Sequence, residues 1–254
     1  KYFKGKLPEM AGNEFNFTIQ RLFDFVSNKE IFEEMFNALS VNFSSLLQNN
    51  KTGVILSISK ACERLSFKQG QFIQSLVKAL ECEKSQNHVI PCIATLLPSS
   101  AIEASLNNIE VHLHGSLILQ NIMNFNKPIK IVQSLLEMKP QVLSDIFCHQ
   151  KGSRIADTFL ESKFIGEKSR EKLIKHLEGM YLKMALSKNG SHVLEKLYHA
   201  ALEPQKEMIV SELAERLNQL NGSGCGKIIN YKLNVEVYAK NANQWRSYLG
   251  RSSK

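Results

Sequence analysis

Lys188-Asn189-Gly190-Ser191-His192-Val193-Leu194-Glu195-Lys196-Leu197 decides how this chain is read, because it recurs. The stretch Lys151-Gly152-Ser153-Arg154-Ile155-Ala156-Asp157-Thr158-Phe159 has the same pattern, and so does His114-Gly115-Ser116-Leu117-Ile118-Leu119-Gln120-Asn121-Ile122. Each runs glycine, serine, a variable residue, two small or apolar residues, then a polar one. The glycines are 37 residues apart (115 to 152) and 38 apart (152 to 190). Self-similarity at such a period marks a repeat architecture.

Weaker copies extend the series. Cys225-Gly226-Lys227-Ile228-Ile229-Asn230 lies beyond the third strong copy, and here Gly226 is taken as the first residue after the mark. Phe15-Asn16-Phe17-Thr18-Ile19-Gln20-Arg21-Leu22 opens the chain, and Gly53-Val54-Ile55-Leu56 follows it. From Gly53 to Gly115 the gap is 62, too long for one period, and Gln86-Asn87-His88-Val89-Ile90-Pro91 is placed in it. Pro91 is the weak point of that copy, since a proline in a helix interior removes a backbone bond and clashes with the preceding turn.

Between the marks lie amphipathic stretches (Ile129–Met138, Glu171–Leu177, Lys206–Leu217) whose apolar residues recur at helical steps. Pro128, Pro140 and Pro204 stand where helices would begin. A period of two or three helices cannot cover its own apolar face, and stacking its neighbours does. The expected fold is therefore an all-α solenoid of about seven helical repeats, a curved superhelix. It forms a single repeat domain over 1–254, with marks near 15, 53, 86, 115, 152, 190 and 225. The first mark stands so near Lys1, without helices of its own period, that further repeats are expected before it.

Lys and Arg number 32 against 24 Asp and Glu, a net +8. Residues 1–150 carry 14 basic and 13 acidic side chains, residues 151–254 carry 18 and 11, so nearly all the excess lies in the later part. A cationic segment on a folded scaffold concentrates phosphate-bearing partners near its surface. The five cysteines form no CxxC pair and read as buried apolar thiols in a reducing compartment. No apolar run is long enough for a membrane span, so no membrane partner is expected.

Enzymatic chemistry finds no footing. Gly222-Ser223-Gly224-Cys225-Gly226-Lys227 suggests a phosphate loop, but Asn221 and Ile228 stand where glycine and Ser/Thr are required. His112-Leu113-His114 with Glu110 lacks a further metal ligand at helical spacing and reads as the loop before a repeated helix. No cofactor and no metal are expected.

Binding chemistry does recur. The first and fifth residues after the mark are four apart and share one helix face, with the second beside them. Two polar side chains so placed grip a base edge while the second residue stacks on the ring, as repeat modules do on single-stranded RNA. The candidates are Asn16 and Gln20 around Phe17, Ser116 and Gln120 around Leu117, Ser153 and Asp157 around Arg154, Ser191 and Glu195 around His192, and Lys227 with Asn230. The copies with Val54, Ile55 and Ile58, and with Asn87, His88 and Pro91, are unsuited to reading. Each residue also has a plainer reading: a serine at a helix start caps it, and a second-turn Gln or Glu is a solvated face. A protein-binding solenoid of the HEAT or armadillo kind is the rival function.

At these residues the chain resembles the Pumilio (PUF) repeats. Asn16-Phe17-Thr18-Ile19-Gln20 is similar to the family's Asn-Tyr-x-x-Gln signature for uracil, Ser191 with Glu195 resembles its guanine pair, and Ser116 with Gln120 its adenine pair. Cys148–Arg154, Leu177–Tyr181, Ala185–Glu195 and Trp245 are similar to a Pumilio-like branch of small-subunit ribosome-biogenesis factors. The resemblance implies a monomer that binds single-stranded precursor ribosomal RNA without catalysis, within a pre-small-subunit ribosomal particle in the nucleolus of the nucleus. The degenerate positions Ile55, Pro91 and Leu117 depart from the family pattern, so a strict code of one base per repeat is not expected.

Overall fold

In a computed structural model, residues 5–105 and 109–249 are described, and among them there are helices and no strand. Lys1, before which further repeats were expected, lies outside the described residues. The single domain expected over 1–254 divides into two compact units: residues up to 137 with 162–164, and residues 138–161 with 165 onward. Repeat chains make contacts mainly between sequence neighbours, which is what lets them divide.

Unit 1 begins with α1 (Leu7–Gly12), α2 (Asn16–Phe25), α3 (Lys29–Ser40) and α4 (Phe43–Gln48). It continues through α5 (Thr52–Leu65), α6 (Gln69–Ala79), a 3-10 turn (Gln86–His88), α7 (Val89–Thr95), α8 (Ser99–Ser105), α9 (Leu113–Met123) and α10 (Ile129–Glu137). Asn28 starts α3 by accepting from the Ile31 N–H at 3.0 Å, and the Pro128 carbonyl accepts the first bond of α10 at 3.0 Å. Buried phenylalanines fill the layer beneath. Phe23 meets Phe32 edge-on at 5.9 Å, and Phe72 meets Phe43 at 5.7 Å and Phe125 at 6.2 Å.

α5 packs against both α2 and α9. Thr52 Oγ1 lies 2.7 Å from His114 Nδ1, and Asn121 Nδ2 donates to Ser59 Oγ at 2.8 Å. Both pairs are 62 residues apart, so α9 follows α5 directly and no repeated helix stands between them. The copy placed at 86 is corrected accordingly: Asn87 and His88 form the 3-10 turn, and Pro91 sits in the first turn of buried α7, where its missing N–H costs nothing.

Unit 2 runs α11 (Pro140–Cys148), α12 (Ser153–Glu161), α13 (Glu167–His176), α14 (Tyr181–Leu186) and α15 (Lys188–Ala200). It ends with α16 (Glu203–Glu215), α17 (Leu217–Leu220), α18 (Gly224–Leu233), α19 (Val235–Lys240) and α20 (Ala242–Leu249). Pro140 and Pro204 occupy first-turn positions, and the three amphipathic stretches are α10, α13 and α16.

The recurring glycine has a steric cause. A Cβ on Gly152 would lie 2.0 Å from the Ile146 carbonyl oxygen, on Gly190 2.7 Å from that of Met184, and on Gly226 1.9 Å from that of Leu220. The blocking carbonyl is six residues earlier in each case, at the end of the helix that feeds the turn. At Gly115 the same approach is made by Ile93 and Ala94, at 2.3 and 2.4 Å, more than twenty residues earlier. Residues between Ala94 and His112 are thus an insertion in that one turn, which accounts for part of the long gap between Gly53 and Gly115.

α14 has a cap supplied from another helix. The Glu212 carboxylate of α16 accepts from the N–H groups of Gly179 (2.6 Å), Tyr181 (2.8 Å) and Leu182 (3.3 Å). Burial pushes its carboxyl pKa up, against the pull of these three donors. Glu212→Ala is expected to cost about 0.5–2 kcal/mol, the range of a lost helix cap. An unchanged urea midpoint would show that water replaces the carboxylate.

Candidate nucleic-acid interface

Six helices begin at the marks: α2, α5 and α9 in unit 1, and α12, α15 and α18 in unit 2. In α9, α12, α15 and α18 the cap stands three residues before the glycine; α2 and α5 start without a side-chain cap. Ser187 accepts from the Gly190 N–H at 3.2 Å and Ser223 from that of Gly226 at 2.9 Å. In the equivalent places His112 Nδ1 accepts from the His114 N–H and His149 Nδ1 from the Lys151 N–H, both at 3.1 Å. The first-position serines are therefore not the caps; Ser153 and Ser191 donate instead to the carbonyls of Gln150 (3.2 Å) and Lys188 (2.9 Å). His112 and His114 likewise have structural places, one capping α9 and the other bonded to Thr52. Burial, then the neighbouring His112 and Lys60, lowers the His114 pKa.

In α2 and α9 the first and fifth positions meet, as the four-residue spacing allows. Gln20 Nε2 donates to Asn16 Oδ1 at 3.0 Å, and Gln120 Nε2 to Ser116 Oγ at 3.0 Å. Asn16, Ser116 and Ser191 are buried at the base of the helix face, while the second positions stand out: Phe17 is 72% exposed, and Arg154 and His192 are exposed too. Leu117 is half-buried. Val54, Ile55 and Ile58 of α5 are fully buried, as expected of positions unsuited to reading.

Arg154 and Asp157 form an ion pair at 3.3 Å. Between α12 and α15 a cleft of about 500 Å³ is lined by Ser153, Arg154, Asp157, Lys188, His192 and Lys196. It brings the candidate residues of one repeat against the second-position side chain of the next.

The last copy changes register. Gly226, not Cys225, makes the close approach, so the first, second and fifth positions are Lys227, Ile228 and Tyr231. Lys227 remains on the exposed face, Ile228 is 56% exposed and Tyr231 84%. Asn230, assigned to the fifth position from sequence, is 9% exposed, and both ends of its amide are taken. Its Nδ2 donates to Asn221 at 2.8 Å and its Oδ1 accepts from the Glu236 N–H at 2.9 Å. A signal for the right register was present: Ser223-x-x-Gly226 repeats Ser187-x-x-Gly190.

Residues 1–228 match the NOP9-like PUF repeat domain. The chain belongs to this family. It is 28% identical to nucleolar protein 9 of Homo sapiens, over 100% of this chain and 43% of that protein. It is 27% identical to Pumilio homolog 23 of Arabidopsis thaliana, over 97% of this chain and 34% of that protein. A solved structure of APUM23 with GGAAUUGACGG superposes with a TM-score of 0.82 at 27% identity, covering 97% of this chain and 48% of that one. The chain thus spans less than half the length of these curated relatives. Among the described residues, α2, α5 and α9 of one unit and α12, α15 and α18 of the other begin at the marks, and within each unit the candidate residues lie on these helices.

Proposed function

We propose that this chain binds single-stranded RNA through those positions, with precursor ribosomal RNA as the target and assembly of the small ribosomal subunit in the nucleolus as the setting. It acts as a monomeric binding module and not as a catalyst. The observation that carries the reading is the recurrence, in α2, α12 and α15, of two polar residues four apart on one helix face beside an exposed second side chain. Membership of the PUF family supports it, as does the oligonucleotide in the APUM23 structure. So does the net +7 of residues 151–254, since an RNA backbone is drawn to such a field. The reading residues are Asn16, Phe17, Gln20, Ser116, Leu117, Gln120, Ser153, Arg154, Asp157, Ser191, His192, Glu195 and Lys227, with Ile228 and Tyr231 in place of Asn230.

The test is equilibrium binding to single-stranded RNA at rising salt. Each phosphate contact releases bound counterions, so log affinity should fall linearly with log salt at about −0.7 per contact. Binding that is absent, or flat with salt, would transfer the assignment to a protein-binding scaffold. Crosslinking to cellular RNA then tests the ribosomal target.

Glu195 supplies a finer prediction. As an acceptor-only carboxylate it suits the ring N–H and amino donors of guanine. Glu195→Ala is expected to cost about 1–3 kcal/mol on a guanine-containing site and to relax preference at one position. An equal loss on every RNA would make the residue structural.

A further inference from the structure

The two acidic fifth-position residues are not alone on their helices' outer face. Lys232 of α18 places Nζ 2.7 Å from both carboxylate oxygens of Glu195 on α15. Lys196 of α15 places Nζ 3.0 Å from Asp157 of α12 and 3.0 Å from Glu161. In the glycine frame the two contacts are one and the same: Asp157 and Glu195 are fifth, and Lys196 and Lys232 are sixth in the following repeat.

The pairing follows the charge of the reader. Where the preceding fifth residue is neutral (Gln20, Ile58, Gln120), the following sixth residue is Ser59, Asn121 or Thr158, and none of these is a cation. Lysine occupies the sixth place only after an acid. A partly exposed ion pair adds little stability, because water and salt screen it, and the side chains of Lys232 and Glu195 are 44% and 24% exposed. Its effect falls instead on the carboxylate. An ammonium bridging both oxygens fixes the side chain, and a carboxylate has about four lone-pair sites, so acceptor capacity is left for N–H donors. It also cancels a negative charge that would otherwise face the phosphates of a bound strand. For Lys196, burial lowers the pKa, but the hydrogen bonds to Asp157 and Glu161 outweigh it, so the ammonium form is favoured.

We propose that Lys232 and Lys196 are positioning residues for base selection, each holding the acidic reader of the preceding repeat oriented and charge-neutralised for a base that presents two N–H donors. The proposal rests on the RNA-binding reading above. It makes selectivity at an acidic reader a property of two adjacent repeats.

The experiment measures binding of wild type, Lys232→Met, Glu195→Gln and the double variant to GGAAUUGACGG. The same proteins are measured on versions with each guanine in turn replaced by adenine, and on a random-sequence RNA pool. Methionine keeps the aliphatic stem, and circular dichroism checks that the fold is retained. Lys232→Met is expected to lower guanine-over-adenine discrimination at one position about tenfold. In the Glu195→Gln background the same change should lose that effect, which is the coupling expected of neighbours that act together. Lys196→Met should behave alike toward Asp157.

A loss equal on all RNAs, without coupling to Glu195, would make Lys232 an ordinary phosphate contact and overturn the assignment. Tighter guanine binding in Lys232→Met would make the lysine a blocker and overturn it equally. Wild-type binding without preference at any guanine defeats the assignment but leaves RNA binding standing. Wild-type protein that ignores both the oligonucleotides and the pool defeats both.

Discussion

Trp245→Ala is expected to remove about 3–5 kcal/mol from the stability of unit 2, the range for deleting a large buried aromatic. The indole is 1% exposed. Its Nε1–H donates to the Leu233 carbonyl at 3.0 Å, and its ring meets Tyr238 edge-on at 5.3 Å. The truncation leaves a cavity, an unpaired buried carbonyl at the end of α18, and a lone tyrosine ring. All three losses fall where α18, α19 and α20 are joined. Trp245→Phe keeps most of the ring and loses only the N–H, so it should cost less. Because this is the sole tryptophan of the chain, unfolding must be followed by far-UV circular dichroism and not by intrinsic indole fluorescence. A loss below about 1 kcal/mol would mean the site collapses around the cavity, contrary to the packing described.

Gly226→Ala and Gly152→Ala form the second large effect, and its sign is the informative part. Gly226 lies inside α18, where glycine normally costs about 0.5–1 kcal/mol relative to alanine, so the substitution ordinarily stabilises, while Gly152 stands in the turn just before α12. Here the added Cβ would stand 1.9 Å from the Leu220 oxygen or 2.0 Å from the Ile146 oxygen. Neither is the tip of a flexible side chain; both are backbone at a helix end, so the whole helix must move. Overpacking of this kind costs about 1–3 kcal/mol. The control is Gly70→Ala in α6, where nothing lies within 4 Å and the usual gain of about 0.5 kcal/mol should appear. Urea midpoints of the three variants check the contrast. A stabilised Gly226→Ala would mean that the turn before α18 has slack, and the steric account of the marks would fail.

The repeat is legible because the turns before α9, α12 and α15 admit no Cβ, so glycine, serine and a buried apolar pair return at each of these three. Helix starts at Pro140 and Pro204 were legible for a similarly local reason. A copy at 86 fits the 62-residue gap in sequence, and only the direct contact of α5 with α9 shows Val89–Thr95 to be a feeding helix. Asn230 falls in the fifth place only when Gly226 is counted as the first residue after the mark, one residue out of register. The steric approach at Gly226 fixes the register. Lys196 and Lys232 carried no signal in a single copy. Their meaning lies in a partner one period earlier, which only stacking brings within reach.

The insertion in the turn before α9 has a practical consequence. His112 N–H donates to the Ala94 carbonyl at 2.8 Å, so the polypeptide departs and comes back at a single point. Length added between those two residues closes on itself and leaves α9 where it was, at an entropic penalty that grows only slowly with size. Ile102 and Val111 of that stretch are buried, so an epitope or a dye-labelling tag belongs at exposed Glu103 or Ala104, away from the start of α9.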